Sequence, residues 1–331
     1  MFFKKKVKLH FSDSPGSLKR RLRSFKQVFV VYDSNVESWL PKLNLQGRPA
    51  CPIVATEDNK NIKTAYEVCK WLLEQGADRN ALVVAVGGGI TTDIAGFAAG
   101  IYKRGISYVN VPTSLVGQVD AGIGGKTGVN VSSFKNMIGL IKQPEFTWIC
   151  PKLLETLPEK DFISGSAELL KTFILEDREA YENAVDLLSA SNRNPEAYAE
   201  LIEKAARIKA YIVGKDEKEN GLRRVLNLGH TYGHAIEWYQ HVNGDESPLT
   251  HGEAVAVGIV KAAKLSEERG YAAAGLESKI RDDFRRCGLP VDFPCAEQDL
   301  EEAMAKDKKA DGGSINFVFI EKIGKVRIKK L

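Results

Sequence analysis

Four of the five histidines in this 331-residue chain, His230, His234, His241 and His251, fall within the 22 residues from His230 to His251. In the stretch Asn227-Leu-Gly-His230-Thr-Tyr-Gly-His234 two of them stand one helical turn apart, on one face. His251 opens the next pattern, Thr250-His251-Gly252-Glu253. A lone histidine is more often a satisfied core residue, but a cluster flanked by glycines points to metal binding or proton transfer. A catalytic zinc takes three protein ligands and keeps one position open, and two histidines with one carboxylate are a common set. The helical stretch SGSAELLKTF, Ser164 to Phe173, offers Glu168 and, three residues on, Lys171. Spacing admits either His230/His234/His251 or a trio that includes Glu168. No H-E-x-x-H occurs, which argues against a zinc peptidase.

A second chemistry is suggested by Gly87-Gly88-Gly89, which closes the apolar run ALVVAV and precedes a helical pattern from Ile90 to Ala99. Glycines let a ligand approach the backbone, and the free N–H groups of a helix start suit a pyrophosphate. The dinucleotide fingerprint G-x-G-x-x-G is incomplete, because Thr92 stands at its last position. Gly124-Gly125-Lys126-Thr127 resembles the end of a P-loop, but Asp120 occupies the place of the required first glycine. Nucleoside triphosphate binding through that motif is rejected. What remains is a glycine-rich segment with Lys126, Lys135 and Asn136, whose composition suits a loop that folds around an anion.

The elements that must position these groups divide the chain in two. Gln27–Tyr32, Pro52–Ala55, Ala81–Val86, Tyr108–Pro112 and Phe146–Cys150 read as short buried strands, with a helix over Asn61–Gln75. Strand, helix and strand at this spacing predict a parallel sheet with crossover helices. From about Pro151 the pattern is helical: Leu153–Asp177, Glu179–Ser189, Pro195–Lys215, His230–Gln240, Glu253–Arg269 and Leu276–Cys287, with an extended tail over Ile315–Ile328. The expected architecture is an α/β Rossmann-like N-terminal domain, residues 1–151, followed by a mainly α-helical C-terminal domain, residues 152–331.

Bulk composition narrows the class further. The formal net charge of +4, from 47 basic and 43 acidic residues spread along the chain, is too even for a nucleic-acid footprint. No run approaches eighteen apolar residues, and MFFKKKVKLHF at the start lacks the apolar core of a secretory signal, so no membrane association is expected. The five cysteines, Cys51, Cys69, Cys150, Cys287 and Cys295, are an odd number with no C-x-x-C pair and read as reduced cytoplasmic thiols.

Taken together, the segments GGGITTDIAGF (87–97), YKRG (102–105), VPTSL (111–115), QVDAGIGGKTGVN (118–130), KNMIG (135–139), LETLP (154–158), AELLK (167–171), KAYIVGKDEKENGLRRVLNLGHTYGHAIE (209–237), HGEAVAVG (251–258) and DKK (307–309) closely resemble the 3-dehydroquinate synthase family of sugar-phosphate cyclases. They keep the family's order across nearly the whole chain. Thr91-Thr92 stand where a glycine often precedes the aspartate, and TEDNK lacks the usual glycine before Glu57.

The resemblance implies Glu168, His230 and His251 as ligands of zinc, with cobalt as an alternative. For NAD it implies Asp33, Glu57, Lys60, Gly88, Gly89, Asp93, Thr113, Ser114, Asp120, Lys135 and Thr156. For an anionic sugar-phosphate substrate it implies Arg104, Asp120, Lys126, Asn136 and Lys308, with Lys309 the rival of the last, on or near the phosphate. Lys209, Arg223 and Asn227 would face its carboxylate and hydroxyls. Lys171, His234, Lys126 and Asn227 are the implied catalytic groups. It further implies a homodimer, with Arg104 reaching a neighbouring subunit's site, and transient oxidation, phosphate elimination, re-reduction and aldol closure. Arg223 and Lys209 favour a substrate acid over the carboxylate-free sugar phosphates of sister cyclases. A metal- and NAD-dependent polyol-phosphate dehydrogenase is the more distant alternative, and a binding protein that lost the chemistry is the alternative that is no enzyme.

Overall fold

The computed structural model describes residues 7–132, 134–190, 194–245, 247–295, 298–300, 302, 304 and 316–331. Its first 150 residues carry eight strands: β1 (Leu9–Phe11), β2 (Val28–Asp33), β3 (Ala50–Ile53), β4 (Leu82–Gly87), β5 (Ser107–Pro112), β6 (Lys126–Val131), β7 (Phe134–Ile141) and β8 (Thr147–Ile149). Helices α1 (Leu18–Leu22), α2 (Trp39–Lys42), α3 (Ile62–Glu74) and α4 (Gly89–Ile101) alternate with the first five of them. Helices α5 (Glu159–Glu176), α6 (Arg178–Ser189), α7 (Ala199–Lys215), α8 (His230–Asn243), α9 (His251–Glu268) and α10 (Leu276–Arg286) follow, and the chain closes on the hairpin β9 (Asn316–Lys322) and β10 (Lys325–Lys330). The described residues divide into two compact units, Met1–Pro158 with Asn194–Lys218, and Glu159–Arg193 with Glu219–Leu331. Helix α7 therefore lies in the first unit.

In the first unit six parallel strands run in the order β1-β8-β5-β4-β2-β3. Both faces of the sheet are covered, which is why β2 and β4 read as continuous apolar runs and not as alternating ones. Phe29, Val31, Val83 and Ala85 pack on one face with residues of α3 and α4, while Val28, Val30, Tyr32, Leu82, Val84 and Val86 pack on the other with α1 and α2. The connections after β2 and after β4 leave in opposite directions along the sheet. The carboxyl ends of those two neighbouring strands thus form a topological switch point, the usual ligand crevice of open α/β sheets.

In the first unit two features depart from the sequence expectation. Strand β1 was too short to stand out. The glycine-rich segment expected as a loop around an anion is instead the antiparallel hairpin β6–β7. Its glycines serve close strand pairing: Gly128 lies opposite Gly139, and a Cβ on either would stand 2.7 or 2.6 Å from a backbone oxygen across the pair.

In the second unit α5 and α9 are the most buried helices. Helix α5 begins at Glu159, later than the periodicity suggests, because Pro151–Thr156 forms a tighter 3-10 turn and Pro158 blocks its extension. Among the described residues no helix is long and apolar enough to cross a membrane.

Candidate active site

The candidate residues fall into two sets, one in each unit. In the second unit Glu168 sits in the middle of α5 with no solvent exposure, and Lys171, one turn on, is 1% exposed. Their side chains pair at 2.5 Å, Lys171 Nζ to Glu168 Oε2. Glu168 Oε1 is buried and has no hydrogen-bond partner. It faces two imidazoles, with His230 Nε2 at 3.7 Å and His251 Nε2 at 3.6 Å. One ligand atom from each of Glu168, His230 and His251 lies within 4.8 Å of the others.

Local sequence explains the convergence. Gly229 has φ +79°, a left-handed conformation that favours glycine, and it starts α8 so that His230 is the first helical residue. Thr250 caps α9: its hydroxyl accepts from the Glu253 N–H, and the Glu253 carboxylate accepts from the Thr250 N–H in return. The same Thr250 hydroxyl donates to Ser164 Oγ of α5 at 2.9 Å. Ser164 lies one turn before Glu168, so this bond brings His251 to the carboxylate.

The two ligand-type histidines are held differently on their far sides. His230 Nδ1 meets the Leu228 carbonyl oxygen at 3.2 Å, and His251 Nδ1 meets Glu237 Oε1 at 3.2 Å. Burial first, and then the charge of Lys171, hold His230 well below the ordinary imidazole value of 6.5. Its neutral form is the one that ligates metal. A carboxylate oxygen without a donor, facing the Nε2 atoms of two imidazoles, fits a divalent cation, and this donor set suits zinc or cobalt. His234 stands beside the trio: its ring is 5.4 Å from that of His230 and 6.3 Å from that of His251.

Arg223 is 3% exposed in the same unit. Asn227 donates from Nδ2 to Glu219 Oε1 at 2.8 Å. Glu219, absent from the sequence candidates, has φ +59°, and its carbonyl oxygen accepts from Arg224 Nε at 3.1 Å. A non-glycine residue held left-handed beside a candidate catalytic side chain marks a local constraint. Only the Glu-Asn-Gly context hinted at it.

In the first unit the ends of three strands gather the other set. Asp33 ends β2 and accepts from the Asn35 N–H at 3.0 Å. Gly88 and Gly89 follow β4, and Thr113 and Ser114 follow β5, joined by a bond from the Thr113 N–H to the Gly87 carbonyl at 2.9 Å. None of the three consecutive glycines has positive φ among the described backbone. Their small size is used in packing: a Cβ on Gly88 would lie 3.2 Å from Ser114 Oγ, and one on Gly89 would lie 3.0 Å from Ala121 Cβ.

A polar cluster borders this turn. Lys60 Nζ binds Asp93 Oδ2 at 2.6 Å and Asn136 Oδ1 at 2.7 Å, while Asn130 links Glu57 and the Asn136 backbone at 2.9 Å each. Lys135 lies 3.9 Å from Glu57. Burial raises the Asp93 carboxyl above its ordinary value against the pull of Lys60. Lys209 of α7 binds Asp120 through Oδ1 at 2.5 Å and through the backbone oxygen at 2.8 Å. Thr156 is farther along, accepting from Trp39 Nε1 at 2.8 Å. Arg104 and Lys126 are exposed, and Arg104 has φ +66°. Lys308 and its rival Lys309 lie outside the described residues.

Comparison with known proteins matches both parts of the chain to models of one family. The family model described as 3-dehydroquinate synthase N-terminal matches residues 50–164, and that described as 3-dehydroquinate synthase C-terminal matches residues 165–310. A 3-dehydroquinate synthase of Streptococcus pneumoniae (strain Taiwan19F-14) is 39% identical over 325 residues, covering 95% of this chain and 89% of that protein. The protein of strain 70585 with the same description is 40% identical over 321 residues, covering 93% and 88%. Among solved structures, the 2-epi-5-epi-valiolone synthase ValA from Streptomyces hygroscopicus subsp. jinggangensis 5008, with NAD+ and Zn2+ bound, superposes with a TM-score of 0.89 at 28% identity, covering 100% of this chain and 94% of that one. A 2-deoxy-scyllo-inosose synthase complexed with carbaglucose-6-phosphate, NAD+ and Co2+ shares the fold, with a TM-score of 0.84 at 24% identity and coverage of 99% and 96%.

Proposed function

The chain belongs to the 3-dehydroquinate synthase family, and from that premise we infer that it is the enzyme converting 3-deoxy-D-arabino-heptulosonate 7-phosphate to 3-dehydroquinate and phosphate. The observation that carries this reading is the buried Glu168 Oε1, without a hydrogen-bond donor and facing the Nε2 atoms of His230 and His251. Those three residues would hold zinc, or cobalt in its place. Residues at the carboxyl ends of β2, β4 and β5, namely Asp33, Gly88, Gly89, Thr113 and Ser114, would hold NAD, with Glu57, Lys60, Asp93, Asp120, Lys135 and Thr156 contributing. When bound, the metal acidifies the substrate hydroxyl it touches, and NAD accepts a hydride and later returns it.

The chain's own residues have the remaining tasks. Arg223, with its planar pair of donors, suits the substrate carboxylate, with Lys209 and Asn227 toward the carboxylate and hydroxyls. Lys126, Asn136, Arg104 and Lys308 or Lys309 supply cations and donors for the phosphate. Lys171 and His234 relay protons, Lys171 being held by its pair with Glu168. Asn227 is kept in one orientation by Glu219.

The reading carries a homodimer in the cytoplasm, with no nucleic-acid or membrane partner. Support for the dimer comes from β7, an outer strand of a two-stranded sheet whose residues are all exposed, with Phe134 at 62% and Met137 at 65%. From Asn136 to Ile141 the edge carries no proline and no charge, two of the usual guards against pairing. A second copy offers the same edge, which is the symmetry that a twofold dimer requires. All five cysteines are free, which fits a reducing compartment.

The test is release of inorganic phosphate from 3-deoxy-D-arabino-heptulosonate 7-phosphate with catalytic NAD, before and after chelation. Release that is lost on chelation and restored by zinc, without NADH accumulating, is the expected result. Turnover of only a carboxylate-free sugar phosphate, or steady NADH production, would overturn the assignment.

A further inference from the structure

We propose that Glu237 is a positioning residue that fixes the ring of His251 for metal binding. The inference rests on the metal site proposed for Glu168, His230 and His251 and goes beyond it, because Glu237 is not one of the ligands. Glu237 stands on α8 seven residues after His230, two turns along the same face. Its carboxylate, 10% exposed, reaches His251 at the first position of α9, and Oε1 lies 3.2 Å from Nδ1.

An imidazole can offer only one nitrogen as a lone-pair ligand when the other carries the proton. A carboxylate can only accept, so Glu237 selects the Nδ1–H tautomer and leaves Nε2 as the lone pair toward Glu168 Oε1, 3.6 Å away. His230 reaches the same arrangement by a different route. Its Nδ1 meets the Leu228 carbonyl, a backbone group two residues away, and its side chain is 14% exposed. His251 has a side chain 36% exposed, and its acceptor is a side chain from another helix. Of the two histidines, His251 is thus the one whose Nδ1 acceptor is a side chain that can be replaced. An outer acceptor of this kind also raises the basicity of the ring as a ligand, and losing one typically weakens metal affinity roughly 10- to 100-fold.

The experiment measures zinc dissociation constants by competition with a chromophoric chelator, together with the melting temperature of the metal-free protein. Wild type must first bind one zinc per chain. Failure there overturns the metal site itself, an outcome distinct from any result with the Glu237 variants. Glu237→Ala is expected to weaken zinc binding roughly 10- to 100-fold, while Glu237→Gln, which keeps an oxygen acceptor, recovers most of the affinity. A purely structural tie between α8 and α9 would lower the melting temperature and leave zinc affinity within about twofold of wild type, and that outcome would overturn the proposal. Should Glu237→Ala fail to fold, the wild-type protein decides. Long-range 1H–15N spectra of its histidine rings, metal-free, must place the His251 proton on Nδ1, and a proton on Nε2 would overturn the proposal equally.

Discussion

A Cβ added to Gly252 would stand 1.9 Å from the carbonyl oxygen of Ser164, so α9 meets α5 at a point where only glycine fits. The contact lies one residue after His251 and one helical turn before Glu168. Gly258 has the same relation to Gly229, with a Cβ 2.0 Å from its carbonyl oxygen, and this brings α9 against the start of α8. The three candidate metal ligands come from three helices, and missing side chains set how near those helices approach.

Gly252→Ala should therefore act on metal binding as well as on stability. The colliding atom is backbone, so α9 must shift by an ångström or more, and overpacking of this kind destabilises by about 1–3 kcal/mol, occasionally more. The shift also carries His251 away from Glu168. Thermal melting of the metal-free protein and a zinc titration should both report losses. A variant with lower stability and unchanged zinc affinity would show that the close contact does not set the trio.

Lys171 and Glu168 should respond in opposite ways to their own replacement. Glu168→Ala leaves a buried ammonium without its partner, a change that destabilises by about 3–5 kcal/mol, and it removes a metal ligand. Zinc and phosphate release should both disappear. Lys171→Met fills similar volume without charge and leaves the three ligand atoms in place. It should keep one zinc per chain by metal analysis while phosphate release falls by about two or more orders of magnitude, the range typical of a lost proton-transfer group. Loss of zinc from Lys171→Met would move Lys171 from the chemistry to the support of the metal site.

How much of this was legible in the residues varies with the kind of signal. Strands β2 and β4 announce themselves because a sheet covered on both faces needs uninterrupted apolar runs, and both boundaries fall within a residue or so. The histidine cluster was visible from His230, His234 and His251, but spacing alone could not bring in Glu168, which lies 62 residues before His230 in the chain. That pairing is a product of how α5 packs against α9. Glycines misled most. The segment that begins at Gly124 and Gly125 reads as a loop around an anion, yet it runs into β6, where Gly128 is pressed against the neighbouring strand. Glu219 and Glu237 leave no sequence signal, because their importance lies in hydrogen bonds to Asn227 and to His251, and a hydrogen bond between residues apart in the chain has no periodic trace.

The exposed edge of β7 makes its own prediction. Met137→Lys places a charge at the middle of the strand, where a second copy would pair and where a like charge would stand close by symmetry. The wild-type chain should elute as a dimer in size-exclusion chromatography with light scattering, and Met137→Lys as a monomer with unchanged far-ultraviolet circular dichroism. Because Arg104 is expected to serve the neighbouring subunit's phosphate, the monomer should also show a raised KM for the sugar phosphate. A variant that stays dimeric would place the interface elsewhere.

Metal removal should be readable in stability as well as in activity. A ligand that binds only the folded protein stabilises it by about 4 kcal/mol when present at a thousand times its dissociation constant. For a unit of this size each kcal/mol shifts the melting temperature by roughly 2–4 °C, so saturating zinc should raise it by about ten degrees. The gain has a local origin in Glu168 Oε1, which is buried without a donor until a cation arrives. Chelation should return the transition to its metal-free position, and Glu168→Ala should melt at one temperature with or without zinc. His234→Ala, which keeps the trio intact, should retain the full shift while losing turnover. Equal zinc shifts in wild type and Glu168→Ala would mean that the ion binds elsewhere on the chain, and the buried carboxylate would then need another partner.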